Sequence, residues 1–184
     1  MNITDEILAI FEKRGGDAYF GECVSTIEHS LQAAYFAQAA AAPPGLILAA
    51  LLHDIGHLVE EVPNDLEDWT EDAHHERVGG RWLALRFRPE VSEPVRLHVP
   101  AKRYLLATDA DYFAKLSPAS VITLELQGGP MAAHEVAQFE TERFYKEAVR
   151  VRQWDDQGKV AGLKTPQLGE YRALIEALAI DTPG

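Results

Sequence analysis

Apolar residues recur at intervals of three and four along almost the whole chain, the spacing of helices that bury one face. Ile7, Leu8 and Phe11 form such a face behind Thr4, the expected N-cap, with Asp5 and Glu6 in the first turn. Gly15-Gly16 closes that helix. A second helix is expected over about 25–41, broken by Pro43-Pro44, and a third from Pro44 to about 58. Residues 60–72 are polar and acidic, with Pro63, Asn64 and Trp69, and read as a long loop. Further helices are expected over 74–87, from Pro89 to about Pro100, and over 102–107, 110–115 and 117–127. Gly128-Gly129-Pro130 breaks the chain before helices over about 132–140, 144–156 and 168–179. No stretch alternates as a strand would, and there is no internal repeat or low-complexity tract. The pattern predicts an all-α fold, with residues 1–184 as one domain.

Composition narrows the function classes. Lys and Arg total 17 against 29 Asp and Glu, a net charge of −12 that disfavours nucleic acid and anionic membranes. The single cysteine, Cys23, excludes an intramolecular disulfide framework and suits a reducing cytoplasm; it reads as a small packing residue. The N-terminal segment carries acids where a signal peptide would carry basic residues. The apolar run 39–52 is interrupted by Pro43 and Pro44 and is too short to span a bilayer. A cytoplasmic protein is expected.

The chemistry lies in the histidines. There are seven: His29, His53, His57, His74, His75, His98 and His134. The most informative segment is Leu51-Leu52-His53-Asp54-Ile55-Gly56-His57, which offers one imidazole and one carboxylate at a buried helix end. Such mixed nitrogen and oxygen donors suit Fe, Mn, Zn or Ni better than Cu(I) or Ca. His57, four residues after His53, lines the same face, and Gly56 permits a close approach or ends the helix.

With these residues the chain resembles the HD-domain superfamily of helical metal-binding enzymes. Its minimal pattern of a His, an adjacent His-Asp and a distal Asp maps onto His29, His53-Asp54 and Asp155. His75 and His98 occupy the places that mark the dinuclear branch, and His75 is preferred to His74 because it opens His75-Glu76-Arg77-Val78-Gly79. The resemblance implies a helical bundle around a dinuclear site in which Asp54 bridges two metals. Within the superfamily the chain is most similar to mixed-valent diiron oxygenases related to myo-inositol oxygenase. Among these it resembles small bacterial enzymes that cleave the carbon–phosphorus bond of 1-hydroxyphosphonates. The matching segments include Tyr19-Phe20-Gly21-Glu22, Ile27-Glu28-His29-Ser30-Leu31-Gln32, Leu126-Gln127-Gly128-Gly129-Pro130-Met131 and Arg152-Gln153-Trp154-Asp155. Gly158 departs from the pattern, which has Ala before Lys159, and the 60–72 loop does not align.

That resemblance implies an Fe(II)/Fe(III) pair, dioxygen as co-substrate, and release of phosphate with glycine betaine or glycine. It also implies that Tyr19 caps an iron in the substrate-free enzyme, with Glu22 holding it or meeting the substrate's nitrogen. Lys102 and His57 are the expected cations for a phosphonate, with Ser120, Thr123 and Gln127 as donors on one helical face. A primary ammonium would use Glu22, Asn64 or Asp65 as acceptors. A quaternary ammonium would use aromatic faces drawn from Tyr19, Phe20, Trp69, Tyr104 and Tyr112, and the acidic loop tilts the expectation towards it. The pathway partner implied is an Fe(II)/2-oxoglutarate hydroxylase that supplies the C1 hydroxyl. The alternatives are a metal-dependent HD phosphohydrolase, a ligand-depleted HD binding module, and an oxygenase of a cyclitol.

Overall fold

The computed structural model describes residues 2–19, 21–59 and 74–180. Ten α-helices run through them, with two short 3-10 turns and two isolated β-bridges but no strand among the described residues. The first, α1 (Ile3–Arg14), is capped by Asn2, whose side chain accepts from the Asp5 amide. Thr4 is therefore not the cap; it lies one residue inside the helix and is fully buried. Then α2 (Thr26–Ala39) starts at a capping box in which Ser25 and Glu28 satisfy each other's backbone amides.

Where one helix was expected from Pro44 to 58 there are two, α3 (Pro44–Leu51) and α4 (Ile55–Val59). The turn between them holds His53 and Asp54. The segment 60–72, with Pro63, Asn64, Asp65 and Trp69, lies outside the described residues. Next come α5 (His75–Ala84) and α6 (Pro89–Thr108), the latter a single 20-residue helix of about 30 Å. It runs through both Pro94 and Pro100, so the expected stop at Pro100 is wrong. Each internal proline costs about 3 kcal/mol. Burial of Val95, Leu97, Val99 and Ala101, with α6 packed against α5 and α9, opposes that cost.

A 3-10 turn at Phe113–Lys115 replaces the expected helix over 110–115 and leads to α7 (Pro118–Leu126). After two glycines with positive φ, Gly128 and Gly129, come α8 (Ala133–Phe139) and α9 (Tyr145–Gln157). A 3-10 turn at Leu168–Tyr171 and α10 (Arg172–Leu178) complete the order.

The apolar helix α3 is central, with Leu46, Leu48, Ala49, Ala50 and Leu51 all buried and with contacts to α2, α6, α9 and α10. Small residues set the spacing around it. Ala33, Ala34 and Ala37 of α2 are fully buried and let that helix lie close. Gly56 is stricter still, since a Cβ there would sit 2.0 Å from the His75 carbonyl oxygen. Its absence brings α4 against α5 and fixes His75 beside the His53-Asp54 turn. No helix of the described residues is long and apolar enough to cross a membrane.

Candidate active site

Five segments converge on Asp54. Its Oδ2 lies 3.3 Å from His53 Nε2 and 3.7 Å from His29 Nε2, while its Oδ1 lies 3.3 Å from His75 Nε2 and 3.5 Å from His98 Nε2. The two oxygens of one carboxylate thus face two separate pairs of imidazoles. Asp155, from α9, adds its Oδ1 at 3.4 Å from His29 Nε2 and 3.9 Å from His53 Nε2. All six side chains are buried.

The hydrogen bonds behind three of these rings fix what they offer in front. His29, His53 and His98 each direct Nδ1 at a backbone carbonyl, of Gly158, Ala50 and Val95, at 2.9, 2.9 and 2.7 Å. A carbonyl only accepts, so each Nδ1 carries a proton, and in the neutral ring Nε2 is left with its lone pair. His29 Nε2 and His53 Nε2 are 2.9 Å apart, and His75 Nε2 and His98 Nε2 are 3.2 Å apart. When neutral, His29 and His53 face each other with bare lone pairs, a repulsion that a cation between them would relieve. Asp155 Oδ1 is buried with no hydrogen bond, a second group left for a cation to satisfy. Two donors on one metal, each at about 2.1 Å and at right angles, stand about 3.0 Å apart. The donors therefore fit a dinuclear metal site: His29, His53 and Asp54 form one compact set and Asp54, His75 and His98 the other.

Without a metal, a proton on His53 takes the cation's place. Burial opposes the charge on His53, but Asp54 outweighs it and raises the imidazole to about 9 in the metal-free chain. Asp54 is likewise opposed by burial yet held well below the carboxylate range, chiefly by His53. Arg152 does the same for Asp155 through a 2.8 Å ion pair to its Oδ2.

Tyr19 closes one side of the cluster. Its hydroxyl donates to Asp54 Oδ2 at 2.7 Å and its ring stacks on His29, with centroids 3.9 Å apart. Beside the cluster is a cavity of about 50 Å³ lined by seven of the residues expected to meet substrate: Tyr19, Glu22, His57, Lys102, Ser120, Thr123 and Gln127. Lys102 Nζ donates to Thr123 Oγ1 at 2.9 Å and to Gln127 Oε1 at 3.0 Å. Burial, then repulsion from Arg152, lowers Lys102 to about 7.

Several sequence expectations change. His57 is not a cation: burial, reinforced by the His75 ring stacked on it at 3.9 Å, lowers its pKa well below the ordinary imidazole value. Cys23 is exposed rather than packed, its Sγ donating to the Lys159 carbonyl. Tyr104 does not line the cavity; it packs with Phe139 and Tyr145 and donates to Glu140. Tyr112 is buried and donates to Asp156, so neither tyrosine is a cage residue. Phe20 and Trp69 lie outside the described residues. His74 and His134 are exposed.

Two cations escaped the sequence reading. Arg152 and Lys159 both line the cavity. Arg152 stands three and four residues before Asp155 and Asp156, a helical ion-pair spacing that could have drawn attention to it. Lys159 lies beyond the end of α9, 3.5 Å from Glu22, and no local spacing signals that contact. Gly158, the departure from the family pattern, packs on His29: a Cβ there would meet its backbone oxygen at 3.1 Å and its Nδ1 at 3.2 Å.

The HD-domain family model matches residues 26–148, spanning five of the six clustered donors and leaving Asp155 beyond its end. The chain is 46% identical over 176 residues to hydroxymethylphosphonate dioxygenase from Gimesia maris, covering 94% of this chain and 88% of that protein. It is 43% identical over 177 residues to the glycine-betaine-forming [1-hydroxy-2-(trimethylamino)ethyl]phosphonate dioxygenase of Leisingera caerulea, covering 96% and 90%. An uncharacterised protein, L432, of Acanthamoeba polyphaga mimivirus is 34% identical over 183 residues, covering 97% and 83%. The family match and these near full-length relatives agree with the His and Asp cluster, and the chain belongs to the HD-domain family.

Proposed function

We propose that this protein is a non-heme diiron dioxygenase that cleaves the carbon–phosphorus bond of a 1-hydroxyphosphonate. The reaction balances without an external reductant: R–CH(OH)–PO3H2 and O2 give R–COOH and phosphoric acid. The observation that carries the reading is the pairing of two kinds of site. A buried set of metal donors centred on Asp54 shares its cavity with Lys102, a buried cation whose hydrogen-bond partners are the neutral oxygens of Thr123 and Gln127. A lysine placed that way awaits an anion. The named activities of the G. maris and L. caerulea relatives support oxidation over hydrolysis.

In this reading His29, His53, Asp54 and Asp155 hold one iron and Asp54, His75 and His98 the other. When bound, the Fe(II)/Fe(III) pair supplies coordination of the substrate's C1 hydroxyl and the redox chemistry that uses dioxygen. The chain's own residues do the rest. Lys102, Ser120, Thr123 and Gln127 orient the phosphonate, and His57, uncharged, serves as a hydrogen-bonding partner beside it. Tyr19 must leave Asp54 Oδ2 when substrate enters, since its ring and hydroxyl occupy that approach. Glu22 faces the organic end, where a 2-trimethylammonio group would give glycine betaine and a 2-amino group glycine. The reading takes residues 1–184 as one domain, in a reducing cytoplasm where Fe(II) and the exposed Cys23 thiol both persist. An Fe(II)/2-oxoglutarate hydroxylase upstream supplies the C1 hydroxyl.

Anaerobic loading with Fe(II), followed by oxidation with one electron equivalent of oxidant per site, tests this reading. An electron paramagnetic resonance signal from a coupled Fe(II)/Fe(III) pair, altered by added hydroxyphosphonate, supports it. Activity restored by zinc or magnesium alone would favour a phosphohydrolase instead.

A further inference from the structure

Arg152 is buried and touches both halves of the site. Its Nη1 pairs with Asp155 Oδ2 at 2.8 Å, which leaves Oδ1 turned towards His29 and His53. Its Nη2 donates to Ser120 Oγ at 3.3 Å on the substrate side. Ser120 Oγ also accepts from Lys159 Nζ at 3.0 Å. A hydroxyl accepts two hydrogen bonds and donates one, so two cations use both acceptor sites of Ser120 and leave its proton for an oxygen in the cavity.

The guanidinium is itself held from behind. Arg152 Nε meets Tyr112 Oη at 3.1 Å and Asp156 Oδ2 at 3.2 Å, and Nη2 meets Asp156 Oδ1. The Tyr112 hydroxyl donates to Asp156 Oδ2, completing a closed triangle. Neither Tyr112 nor Asp156 lines the active-site cavity; both line a separate groove with Asp109, Lys115, Gln153 and Gln157.

We propose that Tyr112 and Asp156 are positioning residues that act through Arg152 on two groups at once, the metal donor Asp155 and the substrate-oxygen donor Ser120. Retention of the metal held by Asp155 and affinity for the anion are thereby coupled through one side chain. The roles of Asp155 and Ser120 rest on the function proposed above, whereas the coupling itself can be read without turnover.

The test uses the full chain and two binding measurements, anaerobic Fe(II) equilibrium dialysis and titration with inorganic phosphate. Asp156→Asn is expected to weaken Fe(II) retention by up to about 10-fold, no more than the cost of losing a partner in direct contact with a metal ligand, since it acts through Arg152. Phosphate affinity is expected to fall in step. Tyr112→Phe, which keeps the ring and its packing, is expected to move both in the same direction by about 3-fold, the worth of one hydrogen bond. Ser120→Ala is expected to weaken phosphate binding alone. The coupling is overturned if Asp156→Asn and Tyr112→Phe lower only the melting temperature, or shift one affinity and leave the other at the wild-type value. Failure of the chain to use hydroxyphosphonates, with both affinities still moving together, would sink the proposed reaction and leave the coupling standing.

Discussion

Asp54 is the residue on which the site depends most, because its two oxygens face separate imidazole pairs. Asp54→Ala is expected to cost both metals, whereas His74→Ala, at an exposed position, is expected to keep the metal content near wild type; metal analysis of the purified variants decides. The reverse ranking of His74 and His75 would overturn the ligand assignment. Lys102 makes a pH prediction. Burial lowers it to about 7, with Arg152, Asp155, Asp156 and Lys159 as its charged neighbours. The unfolded chain, with an ordinary lysine near 10.4, binds more protons than the folded one between pH 7 and about 10, so this group adds stability as pH rises through that window. Anion binding runs the other way, because only charged Lys102 attracts a phosphonate. KM is expected to rise about tenfold per pH unit above 7, the rate at which one group loses its proton, and Lys102→Met is expected to abolish that slope while raising KM at pH 7. Residue identities and motif order made the metal donors legible in the sequence. The charge state of His57 was not, because it is set by burial and by a ring 3.9 Å away.

At the scale of elements, the helices were legible where caps and breakers agree with packing, and misread where they do not. Ser25 and Ser117, where the expected helices begin, cap α2 and α7. Pro100 signals a stop that α6 ignores, since the helix is fixed by its burial against α5 and α9 rather than by local propensity. The turn at 52–54 was missed because no glycine or proline lies between Gly45 and Gly56, yet it turns His53 and Asp54 into the site. Gly56 is the element-scale constraint with the clearest test. A methyl group 2.0 Å from the His75 carbonyl oxygen must push α4 and α5 apart. Gly56→Ala is expected to destabilise the fold by about 1–3 kcal/mol, the range for overpacking, and to displace His75 from Asp54. Thermal melts and metal content of this variant measure both effects; a variant with wild-type metal content would mean that the α4–α5 contact does not position His75.

For the whole molecule, an acidic chain with net charge −12 places three cations, Lys102, Arg152 and Lys159, around one small cavity. Arg152 is tied to Asp155 and Asp156 and Lys159 to Glu22, which leaves Lys102 as the cation with neutral partners. The all-α class was legible from periodicity alone. The organic end of the substrate was not, since of the aromatic candidates only Tyr19 lines the cavity among the described residues. One ring contributes about 0.5–1 kcal/mol to a cation, so the trimethylammonio substrate is expected to exceed the primary amine in kcat/KM only by about 2- to 5-fold. A clear preference for the primary amine would assign that end to hydrogen-bond acceptors such as Glu22. The central claim, oxidative carbon–phosphorus cleavage, is tested most directly by following dioxygen uptake and phosphate release together in the iron-loaded enzyme. One phosphate is expected per dioxygen consumed, with no added reductant and no release under anaerobic conditions. Phosphate released at the same rate without dioxygen would contradict it.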